Sequence, residues 1–459
     1  MPLTTSQLES MRDLVGRGET RPLSWRLDQL DRLKSLVAAH EQDLLTALAS
    51  DLGKPQTEAF FEVVTLLQEA KQTAKNLRRW MRPRSVPLPL TQQPGRASVV
   101  PEPLGCVLII GPWNLPFALT LQPLISALAA GNTAVLKPSE HAPAVSSLIA
   151  EAVPKHFDAE VVRVVEGDGA VAADLVSRPF DHIFFTGGGA VGRKVLAGAS
   201  AHLTPVTLEL GGKSPAIVLA GADLDISARR LIWGKGFNAG QACIAPDHLI
   251  VEAGMQGPLL DAMRKARTEM YGTDPLHSGE LARIINTRQF ERLNDLLETA
   301  RSDDRILVGG EVNHQERMIA PTVIKVDDRS DPLMADELFG PLLPMLTMQS
   351  LDQTLAEIRR EPKPLALYLF GGSQTQQDYV LNTTSSGGVC FNDVIMQAGV
   401  PDMPFGGVGG SGMGSYHGRA GFDTFSHQKA VLKRPFRFDF KVRYPPYKLD
   451  LNVLRRLAN

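Results

Sequence analysis

Between Gly105 and Leu210 the chain alternates short β-rich runs with helical stretches, and this alternation restricts the possible folds more than any other feature. In order the segments are GCVLIIG, LTLQPLISALAA, TAVLKPS, an alanine-rich stretch from Pro143, VVRVVEG, DHIFFTG, a stretch from Ala190, and VTLEL. Strand followed by helix, repeated, predicts a doubly wound parallel sheet. A second α/β region runs from SPAIVLA, through a helix beginning near Asp223, to about Phe391. The chain has 459 residues, more than one core usually supports, so two large domains with connecting pieces are expected.

The flanking segments read differently. Apolar positions such as Leu30, Leu33, Leu36 and Val37 recur with helical spacing among charges, so the first eighty or so residues are predicted helical. RPRSVPLPLTQQPGR, from Arg82 to Arg96, is proline-rich and reads as a connector or extended arm. No charge occurs between Glu102 and Lys137, but Pro103, Pro112, Pro116 and Pro123, with Asn114 and Asn132, break any single membrane-spanning helix there.

Composition narrows the function classes. Hydrophobic residues are 43% and charged residues 21% of the chain, as in an ordinary folded domain, and the net charge of −2 gives no reason to expect a nucleic-acid partner. Cys106, Cys243 and Cys390 are odd in number, far apart and in no CxxC pair. Neither a disulfide framework nor a metal site is expected, and with the N-terminus lacking a signal-like apolar run, a cytoplasmic location is.

Two motifs carry chemistry by themselves. FFTGGGAVGRKV places Gly187, Gly189 and Gly192 in GxGxxG spacing between a predicted strand and a predicted helix, the context in which backbone N–H groups at a helix start hold a pyrophosphate. The competing reading is a tight strand-to-helix turn with no ligand. Glu209 lies near the offset of an acidic ribose partner. GGKS at Gly211–Ser214 is not a phosphate loop, because GxxxxGK requires glycine where Thr207 stands. In GFNAGQACIAPD, Cys243 is flanked by Ala239, Gly240, Ala242 and Ala245, which leave room for a substrate and for N–H groups facing the sulfur. A thiolate there suits attack on a carbonyl carbon, whereas Cys106 and Cys390 read as buried small hydrophobes.

GPWNLPF (Gly111–Phe117), LKPSE (Leu136–Glu140), FTGGGAVG (Phe185–Gly192), LELGGKSP (Leu208–Pro215), FNAGQACIAP (Phe237–Pro246), ELFGP (Glu337–Pro341) and PFGGVGGSGMGSYHG (Pro404–Gly418) occur in this order. With these seven motifs the chain resembles the aldehyde dehydrogenase superfamily over nearly its whole length, from about Glu9 to Tyr447, and KPLALYLF, FDTFSH and RYPPY point to its class 3 branch.

The resemblance implies NAD(P)-dependent oxidation of an aldehyde to a carboxylic acid through a thioester. It makes Cys243 the nucleophile, the Asn114 amide and the Cys243 backbone N–H the oxyanion donors, and Glu209 the base that activates the hydrolytic water, displacing the ribose-partner reading. Lys137 and Glu140 would hold the adenosine ribose and Glu337 the nicotinamide ribose. Gly187 and Gly192 would let the cofactor pass the turn, and Gly211 and Phe339 would line the nicotinamide site. Taken singly, Asn114 reads equally as a turn residue, Glu209 as a solvated strand end, and Lys137 with Glu140 as a surface pair near a helix start where Ser139 and Glu140 suit capping. Gly188 stands where many relatives carry serine, and Ala242 where threonine is frequent.

For specificity, Glu140 favours NAD over NADP, since its carboxylate would repel a 2′-phosphate. Leu115, Leu119, Trp233, Ala242 and Ile395 suggest an apolar entrance for aromatic or medium-chain aliphatic aldehydes. The expected architecture is α/β: a Rossmann-like cofactor domain (1–81 and 102–208), a catalytic α/β domain (209–395), a small β oligomerisation arm (82–101 and 396–432) and a tail (433–459). A homodimer built on the arm is expected, with the basic tail, amphipathic if LNVLRRLAN is helical, packed on the partner. Two other readings stand beside the hydrolytic enzyme: an acylating enzyme that passes the acyl group to coenzyme A, and a structural protein that keeps the fold without turnover.

Overall fold

In the computed structural model, which describes residues 3–437, 439, 441–447, 450–452 and 455, the predicted alternation builds a six-stranded sheet. Its order is Gly412–Met413, Val206–Glu209, His182–Thr186, Cys106–Ile110, Thr133–Lys137, Val162–Val164, parallel except for the antiparallel edge pair Gly412–Met413 with Val206–Glu209. The chain enters at Cys106–Ile110, winds outward to one side, then crosses to His182–Thr186 on the other. The carboxyl ends of these two neighbours therefore flank a topological switch point, where an open α/β sheet leaves a crevice for a ligand. Every residue of Cys106–Ile110 and Thr133–Lys137 is buried, as parallel strands covered on both faces require.

Helices from two parts of the sequence cover this sheet. Helix Ala118–Ala130 is mostly apolar and wholly buried. It packs in one core with Leu23–Ala39, Glu41–Leu52, Gln56–Trp80 and Pro143–His156. The start of helix Pro143–His156 is capped by Asp51, which accepts from the N–H groups of Ala144 and Val145, and not by Ser139 or Glu140.

The second α/β region forms a seven-stranded sheet in the order Ile306–Val308, Thr322–Lys325, Leu342–Met348, His248–Glu252, Pro215–Val218, Ala366–Phe370, Gly388–Phe391, with only Ile306–Val308 antiparallel. Separate cores fill its two faces. The proline-rich arm contributes Arg84–Val86 to a three-stranded antiparallel sheet with Arg96–Pro103 and Ser426–Lys433, the last pair in register from Ser426↔Pro103 to Lys433↔Arg96. Between them, Gly412–Met413 joins the cofactor sheet and helix Gly418–Thr424 packs on Ala118–Ala130, so residues expected in the arm also complete the first domain. The amphipathic helix expected over 451–459 falls largely outside the described residues. No helix among the described residues is long and apolar enough to cross a membrane.

Candidate active site

Three loops meet at the switch point. The first follows strand Cys106–Ile110 and carries Asn114, which is buried. The second is the glycine turn after His182–Thr186. The third is Phe237–Ala245, which leaves helix Leu224–Gly236 and carries Cys243. Asn114 Nδ2 donates to the Gln241 carbonyl at 3.0 Å, and Asn238 Nδ2 donates to the carbonyls of Asn114 at 2.9 Å and Gln241 at 3.0 Å. A primary amide has two donor hydrogens, so Asn114 keeps one for a developing oxyanion after satisfying Gln241.

The nucleophile loop is bent into an unusual shape. Asn238, Ala239 and Gly240 all have left-handed backbone, with φ of 50°, 53° and 70°. Asparagine tolerates this region, alanine is strained there, and a side chain at Gly240 would meet the Gly340 carbonyl at 2.3 Å. Three successive left-handed residues turn the chain sharply and present Cys243 half-buried, with its own and the Ile244 backbone N–H facing the sulfur.

The electrostatics suit acid–base work. Burial pushes the Glu209 carboxyl well above its ordinary range; the residue is 3% exposed, and neither carboxylate oxygen has a hydrogen-bond partner. A carboxylate stripped of donors is a stronger base, the condition a general base needs near neutral pH. Burial, then the charges of Glu337 and Glu209, push the Cys243 thiol far above its ordinary value, which places all three groups in one electrostatic neighbourhood. Tyr416, also buried, is raised by burial and by the charges of Glu209, Glu69 and Cys243. A solvated strand end, the alternative for Glu209, is not what the fold makes of this residue.

The residues expected at the cofactor are tied together in two groups, Lys137 with Glu140 and Gly211 with Glu337. Lys137 ends its strand, is 2% exposed, and reaches the Glu140 carboxylate at 2.5 Å. Burial works against ionisation of Glu140, but the Lys137 hydrogen bond and charge outweigh it and hold the carboxyl below its usual range. Glu337 is raised to about 8 by burial and by Asp247, opposed by the Gly212 N–H, Lys235 and Lys213. A side chain at Gly211 would sit 2.2 Å from a Glu337 oxygen and would displace the Glu337 carboxylate from this position. The Glu337–Phe339 segment is anchored by Asp247, which accepts from the Leu338 N–H at 2.8 Å and from Lys213 Nζ at 2.5 Å. Phe339 has φ of 46° and meets Trp113 edge-on at 5.2 Å.

Not every glycine needs a ligand to explain it. A side chain at Gly187 would strike the Phe185 ring at 2.6 Å, and one at Gly192 would press on Leu210 at 3.0 Å, so strand–helix packing already accounts for both. Gly188 faces open space and caps helix Gly189–Ala199 without a side chain. This unhindered helix start and the Lys137–Glu140 pair together fit a nicotinamide dinucleotide.

Residues 10–431 match the sequence model of the Aldehyde dehydrogenase family. The chain belongs to the aldehyde dehydrogenase family. It is 44% identical over 445 residues to "Aldehyde dehydrogenase family 3 member H1" of Arabidopsis thaliana, covering 96% of this chain and 92% of that one. It is 42% identical to "Aldehyde dehydrogenase, dimeric NADP-preferring" of Canis lupus familiaris, covering 96% and 97%. Among solved structures, the substrate-bound AldH of Staphylococcus aureus superposes with a TM-score of 0.96 at 39% identity over the full length of both chains. This aldehyde dehydrogenase is an NAD(P)-dependent oxidoreductase acting on aldehydes, as its class 3 motifs implied.

Of the residues expected at the apolar entrance of this aldehyde dehydrogenase, Leu119 and Ala242 are buried and Leu115, Trp233 and Ile395 half-buried, the last two packed against the same core as Cys243. Ile395 is tied to the nucleophile loop through Tyr368, whose hydroxyl accepts from the Ile395 N–H at 3.3 Å and donates to the Ile244 carbonyl at 2.5 Å. Trp233 packs on Phe237 with ring centroids 5.7 Å apart, and Phe237 on the 41%-exposed Phe61 at 6.1 Å, an aromatic row that runs to the surface. Sequence reasoning gave no role to Phe61, nor to Tyr368 and Tyr416, although these two lie within KPLALYLF and PFGGVGGSGMGSYHG. It also passed over Asn238, where an asparagine beside Ala-Gly was a usable signal for left-handed backbone.

Proposed function

We propose that this enzyme oxidises aldehydes by the hydrolytic thioester route, with Cys243 as nucleophile. The Cys243 thiol gives its proton to Glu209, which passes it to solvent, as the sulfur bonds to the aldehyde carbon, and the carbonyl oxygen gains negative charge that the free hydrogen of the Asn114 amide and the Cys243 backbone N–H stabilise. When bound, the nicotinamide cofactor supplies the hydride acceptor. Glu209 then takes a proton from water as it attacks the thioester carbon, and the thiol leaves as the acid forms. Lys137, Glu140 and Glu337 would hold the two riboses, with Gly211 and Phe339 beside the nicotinamide; Gly187 and Gly192 shape the turn. The observation that carries this reading is Glu209: a buried carboxylate with both oxygens unpartnered, in electrostatic contact with a half-buried cysteine that sits on a strained loop. That spare base favours hydrolysis over transfer to coenzyme A, which needs no activated water, and a protein without turnover has no use for it.

The substrates we infer are aromatic or medium-chain aliphatic aldehydes, supported by Leu115, Leu119, Ala242, Ile395 and the Trp233–Phe237–Phe61 row. NAD is favoured over NADP because Glu140 is held ionised by Lys137. The enzyme forms a homodimer: strand Ser426–Lys433 ends the three-stranded sheet with its outer edge open among the described residues, an edge a second copy can cover, and the canine relative is named dimeric. The location we infer is cytoplasmic, supported by a nucleophile that must stay reduced and by three free cysteines.

The test is a panel of aliphatic and aromatic aldehydes with NAD and NADP, run on the wild type and Cys243→Ala. The variant is expected to lose dehydrogenase and ester-hydrolysing activity together. Retention of either would remove Cys243 from the mechanism, and sedimentation of a monomer at micromolar concentration would remove the dimer.

A further inference from the structure

Helix Gln56–Trp80 presents Glu58 and Glu62 four residues apart on the face toward the active site, and each carboxylate ends on backbone N–H groups of a catalytic loop. Glu58 Oε2 accepts from the Asn238 N–H at 2.9 Å, at the first left-handed residue of the nucleophile loop. Glu62 Oε2 accepts from the Phe117 and Ala118 N–H groups at 3.1 and 3.0 Å, at the start of the helix that follows Asn114. Its other oxygen takes Lys54 Nζ at 2.5 Å, and both members of this pair are almost fully shielded from solvent. The two anchored loops are tied to each other by the bonds of Asn114 and Asn238 to the Gln241 carbonyl.

We infer that Glu58 and Glu62 are positioning residues for the oxidation, setting the separation of Asn114 from Cys243 by fixing one loop each to a single rigid helix. The inference rests on the reading of Cys243 and Asn114 above. Its physical logic is that Asn238 has left-handed backbone, held there by a bond to a carboxylate, while the Asn114 loop would otherwise end on the unsatisfied N–H groups of a buried helix start. A negative group there also opposes the helix dipole, and Lys54 keeps the buried charge paired. Neither glutamate reaches the thiol, so each acts through the loop it holds.

The experiment uses the full-length enzyme with Glu58→Leu, Glu58→Gln and the double variant Lys54→Met/Glu62→Leu, which removes the buried charge pair as a unit. Three quantities are measured per folded active site: the rate of the first-turnover NADH burst, the rate of ester hydrolysis, and NADH affinity. The leucine variants are expected to slow burst and ester hydrolysis together by about ten- to hundredfold, the scale of an ångström of misplacement, with NADH affinity unchanged. Glu58→Gln keeps an acceptor oxygen and is expected to stay within about threefold of wild type. A lower melting temperature with an unchanged burst would mean a merely structural role and would overturn the inference. Should a leucine variant fail to fold, Glu58→Ser, too short to span the gap, replaces it under the same criterion. If Cys243→Ala kept ester hydrolysis, the nucleophile reading would fail; if that variant is inert and Glu58→Leu is as fast as wild type, only the positioning role fails.

Discussion

The Gly187 N–H donates to the Glu209 carbonyl at 3.0 Å, so the glycine turn and the residue carrying the candidate base are joined directly. Thr186 and Glu209 are also paired in register across adjacent parallel strands. The carboxyl ends of these two adjacent strands thus bring the glycine turn and the backbone of Glu209 together.

The first prediction concerns the thiol. Burial and the neighbouring Glu337 and Glu209 raise Cys243, so at neutral pH in the absence of cofactor it is protonated and a poor nucleophile. Iodoacetamide should inactivate the free enzyme slowly, with a rate that climbs through pH 9 without levelling, because the thiolate fraction is still growing there. Removing one negative neighbour, as in Glu337→Gln, should lower the thiol pKa and accelerate alkylation at pH 8. A plateau below pH 8 in the wild type would show that the thiolate forms more easily than this site permits.

A second prediction follows from Lys137 and Glu140. Replacing Glu140 with glutamine removes a charge that repels a 2′-phosphate while leaving a group able to hydrogen-bond a ribose. The ratio of kcat/KM for NADP to that for NAD should rise by about tenfold, a repulsion on the order of 1 kcal/mol at a partly exposed site. An unchanged ratio would place cofactor discrimination elsewhere.

Gly188 supplies the third. It caps helix Gly189–Ala199 with extended backbone and open space around it, so Gly188→Ser requires no rearrangement. The serine hydroxyl can accept from the helix N–H groups, stabilising by about a few tenths of a kcal/mol. If it also donates to a cofactor phosphate, NAD affinity should rise by about two- to tenfold, the value of one hydrogen bond. Calorimetric titration of both proteins with NAD checks this; weaker binding in the serine variant would count against a pyrophosphate at this turn.

Much of the architecture was legible because parallel strands buried on both faces leave continuous apolar runs, as in CVLII and TAVLK, and crossover helices are punctuated by glycine and proline. The candidate site was legible where motifs are local: Cys243 among small residues, and Lys137 three residues from the Glu140 it pairs with. What could not be read was what a single helix does at long range. Glu58 and Glu62 lie 180 and 55 residues from the N–H groups they hold, and sequence periodicity marks only that two glutamates flank the buried positions Ala59 and Val63. The same holds for Gly412–Met413, too short to announce a strand, which adds an antiparallel edge beside Glu209 through pairing that no local signal encodes.

The most direct measurement of the central claim is intact-mass analysis of Glu209→Gln after mixing with an aldehyde and NAD. Glutamine cannot take a proton from water, so the variant should release one equivalent of NADH and then stall, with a mass increase equal to the acyl group located on the peptide containing Cys243. Steady turnover without an adduct, in the absence of coenzyme A, would contradict Glu209 as the deacylation base, and an adduct on any other residue would contradict Cys243 as the nucleophile.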